Sequence, residues 1–254
     1  MRIAVCIKRV PITGGRIVLT ADARAIDTTH LGFTMSPHEE CGVEEAVRLV
    51  EANKGESVVL TLGPAEATEQ LRDAMALGID RAVHLQTDGQ EWDGEGTAAA
   101  LLEAIRADEA ANGPFDLVFF GNESADSAGF QVGIRVAYAL GRPCVTGLKK
   151  VTLEGSSVRC EQEVEGGRDV YVVPLPAVLT VKEGLNLPRY PSVPGKMRAR
   201  SKPVTVSTPA RPAPRLELVK LAVPAGQGRR AESLGSGAAA APAVVEMLQK
   251  AGAL

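Results

Sequence analysis

Short apolar runs alternate with longer amphipathic stretches between Met1 and Pro143. Ile3–Ile7 is apolar throughout, which predicts a strand buried on both faces, as in a parallel sheet covered by helices. Three similar runs predict further strands, at Ser57–Leu62, Ala82–Leu85 and Asp116–Phe120.

The stretches between these runs predict helices. Ser36 suits an N-cap, Pro37 suits the first helical position, and Glu39 completes a capping box. Apolar residues then recur at helical spacing from Val43, and Gly55 ends the run. Later helices are predicted at Ala65–Leu77, Thr97–Asp108 and Phe130–Leu140. Repeated alternation of strand and helix predicts a Rossmann-like, doubly wound α/β fold with a mainly parallel sheet.

The pattern changes after Pro143. Cys144–Leu148 predicts a fifth parallel strand, and Ala177–Val181 a last buried strand. Polar and apolar residues alternate between them, which predicts an antiparallel meander at Val151–Leu153, Ser157–Val164 and Arg168–Leu175. Three prolines in Leu185–Gly195 argue against both helix and sheet interior there.

The composition shifts again at Pro203. Prolines, the glycine-rich Ala225–Gly228 and the low-complexity Ser233–Ala243 predict an extended arm without its own core, ending in a helix at Ala243–Ala251. The predicted organisation is therefore a nucleotide-binding domain over 1–202, with a loop at 184–197, and a C-terminal arm over 203–254 that needs another surface.

The amino-acid composition argues against several classes of function. The chain has 254 residues, 45% of them hydrophobic, 4% aromatic, and a net charge of −3. A near balance of charges and few aromatics argue against nucleic-acid binding. Four cysteines without a CxxC pair argue against a zinc ribbon. Ile3–Ile7 is too short for a membrane span or a signal peptide, so we expect a soluble, cytoplasmic protein of bacterial type.

Ligands of open α/β sheets bind beyond the carboxyl ends of the strands. The segments expected there are Lys8–Val10, Leu62–Pro64, the helix start at Ser36, and Gly121–Gly133. Glycines and helix N-termini suit backbone amides that meet phosphate, which favours nucleotide binding. An ordinary loop, with Asp126 or Ser127 capping the next helix, is the alternative. Neither the GxGxxG fingerprint nor a Walker loop is present.

The sequence suggests no catalytic or metal site. His30, His38 and His84 lack metal-ligand spacing, no serine lies in a GxSxG elbow, and no acid–base pair is visible. The prediction is a binding fold without catalytic machinery.

Five segments, taken in their order along the chain, are more specific than any of the single motifs above. They are Val5–Val10, Val43–Leu49, Leu62–Glu66, Ala74–Ala82 and Gly184–Met197. In this order the chain resembles the beta (small) subunit of electron-transfer flavoproteins, from Met1 to about Pro203. The proline-rich last segment is the most specific of the five.

The resemblance implies an electron-transfer protein that is not itself an enzyme. It implies a heterodimer with an alpha subunit that carries the redox-active FAD, AMP in this chain, and an arm that wraps the partner. Electrons from flavin-dependent dehydrogenases would pass through that FAD to the respiratory chain. The loop at 184–197 would dock the dehydrogenases, with Val193 as its apolar tip where the family usually has leucine. The docking residues implied are Leu185, Asn186, Pro188, Arg189, Tyr190, Val193, Pro194 and Met197.

The nucleotide site implied by the resemblance departs from the family in two places. Its Asn-Pro is Ser36-Pro37 here, and its acidic run is reduced to Asp126-Ser127-Ala128. AMP is favoured, and a second FAD, as in electron-bifurcating members, stays open. The implied residues are Cys6, Ser36, Pro37, His38, Glu39, Leu62, Gly121, Asn122, Glu123, Ser124, Ala125, Asp126, Ser127, Gln131 and Val132.

One further hypothesis belongs to this resemblance, and two other classes of protein stay open. Lys8, Arg9 and Thr13 follow the first strand and are hypothesised to lie near the partner's flavin domain. A stand-alone adenine-nucleotide-binding module would share the sheet but would not need the 184–197 loop or the arm. An adenylate-forming enzyme would need a phosphate loop with a lysine or metal ligands, and none is visible.

Overall fold

A computed structural model describes residues 1–12, 14, 17–223 and 232–254. The strands, in chain order, are β1 (Arg2–Ile7), β2 (Val10–Pro11), β3 (Phe33–Thr34), β4 (Glu56–Gly63), β5 (Arg81–Gln86), β6 (Leu117–Gly121), β7 (Cys144–Glu154), β8 (Ser157–Val164), β9 (Gly167–Pro174), β10 (Ala177–Val181) and β11 (Val204–Ser207). The α-helices are α1 (Pro37–Asn53), α2 (Thr68–Leu77), α3 (Gly94–Asn112), α4 (Val132–Leu140), α5 (Val193–Ala199) and α6 (Ala241–Lys250). Short 3₁₀ helices cover Ala65–Ala67 and Gly237–Ala240.

Nine strands form one sheet in the order β11-β5-β4-β1-β6-β10-β7-β8-β9. The pairs from β11 to β7 are parallel, and β7, β8 and β9 form an antiparallel meander. β2 and β3 pair separately, as a two-stranded antiparallel sheet. The predicted fold class is confirmed.

Both faces of the sheet are covered. Ile3 and Val5 of β1 belong to a buried cluster with residues of α1 and α2, such as Val43 and Leu71. Their neighbour Ala4 faces the other way and packs in the cluster that holds α3 and α4. Alternation along a strand thus supplies two cores, as the uniformly apolar runs predicted.

Two predictions about the region after Pro143 were wrong in detail. Cys144–Leu148 and Val151–Leu153 are parts of one strand, β7, which pairs in parallel with β10 at one end and antiparallel with β8 at the other. The register of the β7–β8 pairing shifts between Leu148 and Lys150, and Lys150 is exposed. This irregularity hides the continuity of the strand in the sequence.

The prolines after β10 do not exclude a helix throughout Leu185–Gly195. α5 begins at Val193, and Pro194 occupies its first turn, where a backbone N–H has no partner within the helix. The arm also differs from the prediction at its start, because β11 pairs in parallel with β5 and forms the edge of the sheet. Ala225–Gly228 lies outside the described residues.

Candidate functional site

The order of the strands identifies where a ligand can bind. The chain proceeds from β1 to β4 and β5 on one side and returns to β6 on the other. The switch point therefore lies between the carboxyl ends of β1 and β6, which are marked by Ile7 and Gly121. Cys6 is buried there, opposite Phe120.

The start of α1 meets the end of β6 at this point. Ser36 is the N-cap and forms a capping box with Glu39, whose carboxylate accepts a hydrogen bond from the Ser36 backbone N–H at 3.3 Å. A Cβ on Gly121 would lie 2.8 Å from Glu39 Cγ and 3.4 Å from His38 Cβ. Glycine is therefore required here for the close approach of strand end and helix start.

Glu39 has an unusual pKa because its carboxyl is buried. Burial raises the pKa of the carboxyl to about 8, against hydrogen bonds from the backbone of Lys8 and Ser36 that lower it. At neutral pH the side chain is therefore mostly uncharged and does not repel an anion. The helix N-terminus beside it carries a partial positive charge.

Replacing Glu39 with glutamine is expected to flatten the pH dependence of stability. The folded chain keeps the Glu39 proton up to about pH 8, whereas an ordinary glutamate releases it near pH 4.5. The folded state binds more protons in that window, so the free energy of unfolding falls as pH rises through it. E39Q removes this fall, which amounts to about 3 kcal/mol between pH 5.5 and pH 8.

Urea unfolding at pH 5.5 and pH 8 measures the difference, and substitution of exposed Glu66 by glutamine is the control. Wild type and E39Q with parallel pH profiles would contradict the assignment of this carboxyl as neutral.

A lysine joins three segments at the same edge of the sheet. Lys8 Nζ lies 2.7 Å from a carboxylate oxygen of Asp126 and 2.7 Å from one of Glu91. Burial would lower the pKa of Lys8, but the two carboxylates outweigh it and hold the pKa above its ordinary value. Lys8 therefore offsets part of the negative charge that Asp126 and Glu91 bring to the site.

The segment after β6 is held by its neighbours. The Asn122 backbone N–H donates to Val181 O at 2.9 Å, and Asn122 Oδ1 accepts from Thr180 Oγ1 at 2.9 Å. Ser124 and Ser127 hydroxyls lie 2.9 Å apart. Gln131 is the N-cap of α4, so neither Asp126 nor Ser127 caps that helix.

The loop at 184–197, called the recognition loop below, is attached by polar groups and exposes apolar ones. Asn186 Nδ2 donates to Cys41 O at 3.0 Å and to Glu45 Oε2 at 2.9 Å, both on α1. Ser192 caps α5 by accepting from the Gly195 N–H. The exposed fractions of four apolar side chains are large, at 91% for Leu187, 96% for Tyr190, 74% for Val193 and 68% for Met197.

The comparisons with known proteins agree on one family. The sequence model of the electron transfer flavoprotein domain family matches residues 24–212. The chain is 39% identical over 212 residues to electron transfer flavoprotein subunit beta of Mycobacterium tuberculosis, covering 81% of this chain and 78% of that one. The chain belongs to the electron transfer flavoprotein beta-subunit family. The Bacillus subtilis subunit beta is 34% identical over 206 residues, covering 80% of this chain and 77% of that one. The mitochondrial subunit beta of Arabidopsis thaliana is 35% identical over 211 residues, covering 82% of each chain.

The structure brings part of the predicted nucleotide set together in this family member. Ser36, His38, Glu39 and Gly121 meet directly, and Asp126 joins them through Lys8. Cys6 is buried with the core under α3 and α4, and Leu62 and Val132 pack against that core. Gln131 lies against the start of α3, where a Cβ on Gly94 would come within 2.8 Å of its side chain.

One contributor was missed in the sequence. Glu91 lies in the loop before α3, whereas Lys8 was expected at the carboxyl ends of the strands, although it was not among the residues that the resemblance implied for the nucleotide. The position of Lys8 directly after β1, at the switch point, was the signal for this residue. No feature of the local sequence marked Glu91. Arg9 stacks its guanidinium over the Phe33 ring at 3.3 Å from the ring centre. Thr13 lies outside the described residues.

The arm first follows this chain's own surface. Arg211 donates to Glu91 O at 2.6 Å, and the Arg215 N–H donates to Asp93 at 3.1 Å, beside the start of α3. The Leu221 N–H donates to Ala23 O at 2.7 Å. α6 buries none of its side chains and leaves Val245 and Met247 exposed.

Within the described residues, no helix is both long and apolar enough to cross a membrane. The same part of the chain has no group of three or more His, Cys, Asp or Glu side chains that could hold a metal ion.

Proposed function

We propose that this chain is the beta subunit of a heterodimeric electron-transfer flavoprotein that relays electrons from flavin-dependent dehydrogenases towards the respiratory chain. The alpha subunit binds the redox-active FAD, which supplies the one- and two-electron chemistry. This chain supports that flavin domain, holds a nucleotide and presents the docking surface, in the cytoplasm. The observation that carries the proposal is the recognition loop, whose polar residues grip α1 while Leu187, Tyr190 and Val193 face solvent.

The switch point suits the phosphate of AMP. The N-terminus of α1 offers backbone amides and a favourable dipole to an anion. Glu39 is mostly uncharged and Asp126 lies beside Lys8, so both carboxyls repel an anion less than isolated carboxylates would. His38 Nδ1 is buried and has no hydrogen-bond partner among the described residues, which leaves one polar group for a ligand.

The nucleotide content of the complex tests this assignment. The chain would be purified with the alpha subunit encoded in the same genome, denatured, and the released nucleotides identified by mass and counted. One FAD and one AMP per heterodimer support the simple relay. Two FAD and no AMP would replace it by electron bifurcation, with the second flavin near Gly121–Gly133. A flavin-free, stable monomer would instead favour a stand-alone nucleotide-binding module, and turnover of ATP by that monomer an enzyme.

Val193→Ala is expected to weaken docking without loss of flavin. The change removes two methyl groups that a partner pocket would bury, at about 1.5 kcal/mol, or roughly a tenfold rise in KM for the heterodimer as electron acceptor. The measurement is anaerobic flavin reduction by a dehydrogenase over a range of heterodimer concentrations.

Val170→Ala on β9 is the control, because Val170 is an exposed valine away from the recognition loop. Flavin loss in Val193→Ala would show that the loop has a structural role instead.

The arm at 203–254 is proposed to wrap the alpha subunit. β11 ties its start to the sheet of this chain, and the exposed Val244, Val245 and Met247 give α6 an apolar face for the partner.

A further inference from the structure

Arg189, in the middle of the recognition loop, reaches back to α1. Its Nε lies 2.9 Å from Glu44 Oε2, and its Nη1 lies 2.8 Å from Glu51 Oε1. Nη2 contacts both carboxylates, at 3.1 Å from Glu44 Oε1 and 3.0 Å from Glu51 Oε2. The backbone N–H of the same residue donates to Glu44 Oε2 at 3.1 Å.

The two carboxylates are spaced to receive one guanidinium. Glu44 and Glu51 are seven residues apart, so two helical turns bring them to the same face of α1. The Glu44 side chain is buried and that of Glu51 is exposed. Hydrogen bonds from Arg189 lower the pKa of Glu51, and the hydrogen bonds that Arg189 donates to both carboxylates raise its own pKa.

The two large apolar side chains near Arg189 do not hold the loop by burial. Leu187 and Tyr190 are among the most exposed apolar side chains of the described chain. On one side of Arg189, Asn186 is bonded to α1; on the other, Ser192 caps α5. Among the described residues between these two, Arg189 donates the side-chain hydrogen bonds to the body of the protein.

We propose that Arg189 is a positioning residue for electron-donor docking, which presets the loop so that its apolar side chains meet a dehydrogenase in one arrangement. This rests on the proposed function. A preset loop loses little conformational freedom on binding, so more of the contact free energy appears as affinity. The residue itself need not touch the partner.

Lysine at this position keeps the charge but loses the clamp. A single ammonium cannot make parallel hydrogen bonds to two carboxylates as the planar guanidinium does. Arg189→Lys is therefore expected to raise KM for the heterodimer roughly tenfold with kcat unchanged, and to speed amide hydrogen exchange over residues 184–192. Glu51→Gln, which removes the exposed half of the clamp, should have the same effects to a smaller degree.

The control is Arg159→Lys on β8. Arg159 is 39% exposed against 36% for Arg189 and also faces a carboxylate, that of Glu161, but it lies outside the loop. The assay uses full heterodimers and a flavin-dependent dehydrogenase of the same organism that reduces the wild type.

Each outcome bears on a different statement. Higher KM and faster exchange in Arg189→Lys and Glu51→Gln, with normal flavin content and Tm, support the positioning role. Unchanged KM in both variants, with KM still raised in Val193→Ala, would overturn it and leave the proposed function intact. Lower Tm and flavin content with unchanged KM would overturn it in favour of a structural role. A wild-type heterodimer that no dehydrogenase reduces would remove the proposed function itself.

Discussion

Asp108→Ala is expected to lower the free energy of unfolding by about 3 kcal/mol, because it leaves two largely buried arginines short of a partner. The Asp108 side chain is 7% exposed, and its oxygens lie 2.6 Å from Arg2 Nη2 and 2.6 Å from Arg81 Nη1. Both arginines keep Glu56, which holds the loss at the low end for a broken buried pair. The cluster joins β1, β4, β5 and α3 at the amino ends of the strands.

The same cluster gives a pH dependence of opposite sign to that of Glu39. Burial would raise the pKa of Asp108, but hydrogen bonds from Arg81 and Arg2 outweigh it and hold the pKa below its ordinary value. The folded state therefore binds fewer protons there, and this stabilisation is lost as pH falls through the folded pKa.

Thermal and urea unfolding of the heterodimer measure the effect. For a domain of this size, 3 kcal/mol corresponds to a fall in Tm of about 6–12 °C. Glu246→Ala, which removes the partner of Lys250 in an exposed pair, is the control and should cost less than about 0.5 kcal/mol. An Asp108→Ala variant as stable as this control would contradict the account.

Gly133→Val is expected to cost about 3 kcal/mol and to release most of the nucleotide. A Cβ on this residue would lie 2.8 Å from Thr180 Cγ2 and 3.1 Å from Phe120 Cγ. Neither neighbour can withdraw, because Phe120 and Thr180 are buried on adjacent strands. The first turn of α4 must therefore move away from the sheet and carry Gln131 and the preceding segment with it.

The control is Gly167 at the start of β9, outside the candidate site. A Cβ on Gly167 would meet no atom within 4 Å, so Gly167→Val adds the same side chain without a clash. AMP and FAD would be counted after denaturation, and stability measured by urea unfolding. Equal nucleotide content in the two variants would show that the packing of α4 does not shape the site.

Hydrophobic periodicity predicted the parts of the fold that depend on local pattern. β1, β10 and the start of α1 were found within one or two residues, because buried parallel strands are uniformly apolar and Ser36-Pro37 marks a helix start. β7 and β11 were not found as such. The first is irregular in its pairing with β8, and the second, Val204–Ser207, is a short edge strand within a proline-rich region.

Residues of the candidate site could be predicted only where a local sequence feature, such as a helix start or a strand end, fixes their position. Ser36, Glu39 and Gly121 stand at a helix start or a strand end, so topology alone places them together. The Lys8–Glu91 contact joins residues far apart in sequence. The Arg189 clamp on Glu44 and Glu51 needs the path of the loop across α1, which no periodicity specifies.

The connection from β10 to β11 has one further consequence. β10 lies inside the sheet and β11 at its edge beside β5, and the whole recognition loop with α5 lies between them. The segment leaves the sheet after β10 and rejoins it at β11, and it contributes no strand to the sheet. Under the proposed function, we expect donor preference to be exchangeable between family members as this single segment, provided that the receiving α1 carries glutamates at positions 44 and 51.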